Sequence, residues 1–242
     1  MTPTAVERLR SSTRAWHDTL ERTPFATAVV AGALPLDRYV AQLAAYREVL
    51  EVLEEELRRA TCRPVTSVWS TDLVKLPLVE RDLRYFGALE ADTGVAAREF
   101  AQEIRRTAEA VPEELLGFLY VLEGSTLGAM ILRRHVTEAY GLTDPEGVAY
   151  YTSGDRTRWT SFTACLNEAL TYPDTQTRVL AAAERTYRHV AAVAEELSVG
   201  LTRISPPVPT PEQSASAEPR SSPRRSPGSS SRATYGPPGT RS

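Results

Sequence analysis

The chain has 242 residues, of which 42 % are hydrophobic and 24 % charged, and its formal net charge is −3. This is an ordinary globular balance, sufficient for one sizeable domain with a true core. So small a net charge excludes recruitment of the whole chain to nucleic acid or to a membrane by electrostatics. Two cysteines, Cys62 and Cys165, exclude a disulfide framework and a cysteine-only zinc site. The N-terminus lacks the apolar core of a signal peptide, and no membrane-spanning run is expected, so the expected compartment is the cytoplasm. Charge is unevenly placed. From Ile204 onward five Arg and two Glu give +3, which leaves −6 for the body. Lys75 is the only lysine, so anion recognition here falls to arginine.

Taken in chain order, helical periodicity dominates and predicts an all-α fold. A first helix is expected over about residues 3–22. Next, Tyr39, Leu43, Tyr46, Leu50, Leu53 and Leu57 recur at alternating spacings of four and three, one apolar stripe on a long helix. Glu54, Glu55, Arg58 and Arg59 are expected mostly toward water, and Pro35 suits the first turn. Further helices are expected at about 77–86, 95–109, 112–140 and 157–170. The one at 112–140 opens on Pro112, Glu113 and Glu114, residues that favour a helix start. A last helix carries Leu180, Ala183, Tyr187, Val190, Ala194, Leu197 and Leu201 as its stripe. No stretch alternates with period two, so no strand is expected. Composition shifts near residue 204 to Pro, Ser, Gly and Arg, with too few large apolar residues to offset ordering entropy. The expected organisation is a helical domain over 1–203 and a disordered tail over 204–242.

Few residues offer chemistry. His17, in AWHDTLE, stands four residues before Glu21, so the two share a helix face. A neutral imidazole is a good iron ligand, and a nearby carboxylate is a common means of orienting it; the plain alternative is a surface histidine with an i,i+4 neighbour. Gly124 and Gly128, in YVLEGSTLGAMILRRH, sit four apart inside a helix, where each costs ~1 kcal/mol relative to Ala. Close helix packing, a kink, or a flat ligand against the backbone would each account for them, and spacing favours packing. Arg10 and Arg14 lie on the His17 side of the first helix. Arg156 and Arg158 precede Trp159 and Phe162. Any of the four could meet a ligand carboxylate at a pocket rim or simply be solvated. His135 and His189 read as structural or surface residues.

Together these segments resemble the heme oxygenases of the bacterial, biliverdin-producing kind. LRSSTRAWHDTLE is similar to that family's proximal helix, and the region from Phe25 to Leu57 to its second-helix region. LVERDLRYFG resembles a short family segment with an acidic-Asp-Leu core, YVLEGSTLGA the glycine-bearing distal helix, and RTRWTSFTACLNEAL a later aromatic helix. The resemblance covers about residues 5–201. It implies His17 as the axial ligand of heme iron with Glu21 beside it, Gly124 and Gly128 as glycines against the porphyrin, and Arg10 and Arg156 as candidate partners of the heme carboxylates. It further implies that heme is cofactor and substrate at once, that molecular oxygen and an external electron donor, a reductase or ferredoxin, are needed, and that biliverdin, iron and carbon monoxide are formed. Many members carry an aspartate after the first distal glycine; here Ser125 stands there, able to hold water but without charge. Alternatives are a heme carrier or sensor without turnover, a thiamin-degrading hydrolase, for which neither Cys62 nor Cys165 has a persuasive context, and a di-iron carboxylate enzyme, for which paired Glu-x-x-His motifs are missing.

Overall fold

Nine α-helices carry the described part of the chain: α1 (Ala5–Leu20), α2 (Pro24–Val30), α3 (Leu36–Arg59), α4 (Arg63–Thr66), α5 (Leu76–Tyr85), α6 (Val95–Ala110), α7 (Leu115–Tyr140), α8 (Arg156–Ala169) and α9 (Pro173–Leu197). The structure is a computed structural model, and it describes residues 3–143 and 146–201. No strand occurs among them. The segment from 204 onward, expected as a tail, lies outside the described residues.

Local chemistry explains the helix ends. Thr4 and Glu7 form a reciprocal capping box that starts α1. Thr23 caps α2, with Pro24 in its first turn. Pro35 is the residue before α3, whose first helical position is Leu36. The sequence run opening at Pro112 begins as a short 3-10 turn, and the α-helix proper starts at Leu115. It ends on Gly141, left-handed at φ 61°, where a side chain would be strained.

Helix α7 is central: it packs on α9 and also touches α2, α3, α6 and α8, while α3 packs on α5 and α6. Nearly every residue of its first half is buried, from Leu115 to Glu123. Contrary to expectation, Pro112–Tyr140 is long and apolar enough to cross a membrane, but 61 % of its most apolar window is buried within the fold, so the apolarity serves the core. Two other expectations also shift. Glu54 is buried, not solvated, because its carboxylate accepts the N–H groups of Lys75 and Leu76 at the start of α5 (2.6 and 3.0 Å). The inner face of α9 is Val179, Ala182, Ala183, Thr186, Val193 and Leu197, rotated from the stripe of larger residues. Close approach by α7 causes this. Gly117 lies so near α9 that a Cβ on it would sit 2.5 Å from the Val179 carbonyl oxygen and 2.8 Å from the Ala182 Cβ. Small side chains are therefore the ones that fit.

Candidate functional site

Helices α1 and α7 both pack on α9 and α8, and a side chain of α7 reaches α1 at one narrow seam. The seam forms at Thr13, a buried residue of α1 whose hydroxyl donates to the Leu9 carbonyl (2.8 Å). The phenols of Tyr120 on α7 and Tyr187 on α9 both reach Thr13. Burial pushes the Tyr120 phenol up to about 12, against the pull of the Arg10 guanidinium nearby.

His17 is one turn beyond Thr13 on the same helix face, and its side chain is 58 % exposed. Its Nδ1 is 3.5 Å from Glu21 Oε1. That contact engages one ring nitrogen and leaves Nε2 as the one available to a ligand. Donor atoms of His17, Asp18 and Glu21 lie within 4.8 Å of one another, all exposed. Arg14 and Arg10, one and two turns toward the start of α1, are exposed as well.

On α7 the two glycines differ. A Cβ on Gly124 would stand 3.3 Å from Trp159 Cη2, whereas one on Gly128 would meet nothing within 4 Å. Packing therefore accounts for Gly124, and Gly128 faces open space. Ser125 is exposed, and its hydroxyl donates to the Leu122 carbonyl (2.8 Å) and interacts with the phenol of Tyr150. Tyr150 is buried, which holds its phenol well above the ordinary range. Its backbone is fixed by Asp82 of α5, which accepts the N–H groups of Ala149 (2.7 Å) and Tyr150 (2.8 Å). Burial pushes the Asp82 carboxyl up to about 6, although both N–H donors pull it down.

Glu123 directly precedes Gly124 on α7. Glu123 is buried, and its carboxylate receives Lys75 Nζ at 2.8 Å on one oxygen and Arg158 Nε at 2.8 Å on the other. Arg158 is in the first turn of α8, where Asp155 caps the helix by accepting its N–H (2.8 Å). Two residues earlier, Arg156 is exposed. The structure thus assigns different places to the two arginines: Arg158 is tied to α7, and Arg156 points to solvent. Trp159 follows, tilted against Tyr120 with ring centroids 5.5 Å apart. The signals for these residues are faint: Lys75 is the chain's one lysine, and Glu123 is one acid inside an apolar run.

A void lined by Leu53, Glu54, Trp69, Lys75, Leu122 and Glu123 has room for about 10 Å³, no more than a water molecule. His17 and Arg10 on α1 and Ser125 and Gly128 on α7 are exposed and lie outside this void.

The heme oxygenase family model matches residues 4–196, most of the chain. The chain belongs to the heme oxygenase family. A heme oxygenase 1 of the cyanobacterium Nostoc is 26 % identical over 176 residues, covering 70 % of this chain and 74 % of that protein. Among solved structures, the heme oxygenase of Leptospira interrogans superposes with a TM-score of 0.74 at 23 % identity, over 80 % of this chain and 100 % of that one. Heme oxygenase-2 of Synechocystis, solved with heme and NO, gives a TM-score of 0.77 at 20 % identity, over 81 % and 86 %. At those identities the superpositions speak for the fold, and the family match carries the membership.

The residues present fit the family's heme. An exposed imidazole has one nitrogen engaged by a carboxylate and the other free. Helix α7 has an exposed position, Gly128, with no Cβ and nothing within 4 Å of where one would be. Arg10 offers a cation on the same side of α1 as His17.

Proposed function

We propose that this chain binds heme between α1 and α7 and opens it oxidatively to biliverdin, with release of iron and carbon monoxide. Family membership supports the reaction class. The observation that carries the site is the His17–Glu21 pair on α1, in which Glu21 engages Nδ1 and Nε2 would hold the heme iron. When bound, the heme supplies the iron and the porphyrin ring on which oxygen chemistry occurs. The protein's own residues do the rest. Glu21 holds the His17 ring in one orientation. Gly128 keeps the α7 wall free of side-chain bulk. Ser125 offers a hydroxyl that holds water for proton delivery. Arg10, with Arg14 and Arg156 as further exposed cations, would hold the heme carboxylates. Molecular oxygen and an external electron donor, a reductase or ferredoxin, complete the reaction. The protein works in the cytoplasm as a soluble enzyme, in keeping with the burial of the α7 apolar window.

The deciding experiment loads the protein with hemin and supplies a competent reductase under air, with catalase present to remove free peroxide. Loss of the Soret band with biliverdin and carbon monoxide as products is the expected result. A stable heme complex that yields no bilin would replace the enzyme with a carrier or sensor.

A further inference from the structure

A buried ion pair is a weak source of stability, because desolvation of its charges offsets most of their attraction. The chain nonetheless buries one beside the exposed face of α7. Side chains of Lys75 and Glu123 are 4 % and 2 % exposed, and Arg158 closes the other side of the Glu123 carboxylate. Lys75 Nζ also donates to the Leu73 carbonyl (2.9 Å), and its backbone N–H is held by Glu54 of α3. Arg158 donates to the Ser153 carbonyl as well. One line of charges therefore joins α3, the start of α5, α7 and α8.

The stretch it reaches has reason to need holding. Gly124 weakens the helix there, and the hydroxyls of Ser125 and Thr126 turn back onto the carbonyls of Leu122 and Glu123. The charge types are also specific. All other cations in the sequence are arginine, yet the most buried one is the single lysine, a compact point charge.

We propose that Lys75, Glu123 and Arg158 form a positioning clamp that fixes the Gly124–Ser125 stretch and sets the electrostatic field on the ligand-facing side of α7. The clamp rests on the heme assignment above, and it makes Glu123, not residue 125, the charge that governs this side.

The test uses full-length protein loaded with hemin and reads the pH at which the ferric spectrum passes from its acid to its alkaline form. The alkaline form carries more negative charge. Glu123→Gln leaves an excess of positive charge and should lower the midpoint by roughly half a unit or more, whereas Lys75→Met should raise it by a similar amount. The double variant Lys75→Met/Glu123→Gln should return close to wild type. Opposite shifts that cancel in the double variant cannot come from loosened packing alone. If Glu123→Gln does not fold, a midpoint raised in Lys75→Met and restored in the double variant still supports the clamp. Normal hemin loading with unmoved midpoints, or shifts of one sign in all variants, overturns the clamp and leaves the heme assignment standing. Failure of the wild-type protein to bind hemin overturns both.

Discussion

The indole of Trp159 stands 3.3 Å from the point a Cβ on Gly124 would occupy, while four residues on a Cβ on Gly128 would touch nothing within 4 Å. The two glycines therefore respond differently to added bulk. Gly128→Ala should raise the melting temperature of the heme-free protein by roughly 2–4 °C, since it removes a helix penalty of ~1 kcal/mol without a clash. Gly128→Leu should weaken hemin binding about tenfold or more, equal to ~1.4 kcal/mol, while the heme-free protein is at least as stable as wild type. Melting curves and hemin titrations of the two variants check this pair of outcomes. Undiminished hemin affinity in Gly128→Leu would remove the α7 face from the site.

For His17 the expectation separates binding from folding. Its side chain is 58 % exposed, and Glu21 lies 3.5 Å from its Nδ1. Replacing an exposed residue shifts stability by no more than ~0.5 kcal/mol. His17→Ala should thus melt like wild type without heme, yet show an altered heme spectrum that added imidazole partly restores. An unchanged spectrum would move the axial ligand elsewhere.

Much of this was legible in the sequence, for identifiable reasons. Long helices announced themselves because a 3.6-residue period persists over 16 to 26 residues, and the His17–Glu21 neighbourhood follows from i,i+4 spacing alone. Helices α2 and α4 have seven and four residues, too few for a period to register. On α9 hydrophobicity points rightly to Ala183 and Leu197 but also to Tyr187 and Val190, whereas close approach of Gly117 brings Ala182 to the inner face. Glu54 looked solvated because its partners are backbone N–H groups that sequence does not display. The Lys75–Glu123–Arg158 line joins residues 48 and 35 positions apart, and no local pattern encodes such pairing.

Gly117 supplies a stability prediction. A Cβ there would lie 2.5 Å from the Val179 carbonyl oxygen and 2.7 Å from the Ala183 nitrogen, both backbone atoms that cannot swing away. Overpacking of this kind costs ~1–3 kcal/mol, against which the helix gains at most ~1 kcal/mol from replacing glycine. Gly117→Ala should lower the melting temperature, in contrast to the same substitution at Gly128. Equal or higher stability would mean that α7 and α9 can separate at no cost.

Asp82 sets the last expectation, for pH. It is fully buried, accepts the N–H groups of Ala149 and Tyr150, and has its carboxyl pushed up to about 6 by burial. In an unfolded chain an aspartate titrates near ~3.9. Between those values the folded state holds more protons than the unfolded one, so this residue's contribution favours folding below ~3.9 and is lost as pH rises through about 6. Asp82→Asn cannot titrate. It also keeps only one acceptor oxygen for two N–H donors, at a cost of ~1–3 kcal/mol. Wild type should therefore exceed Asp82→Asn in stability at pH 7.5 and exceed it by a wider margin at pH 5.0, as read by urea unfolding at both values. Comparing the two proteins at each pH cancels the titration of all other groups. A margin that narrows at pH 5.0 would show that the two N–H donors outweigh burial and that the native fold prefers the ionised carboxylate.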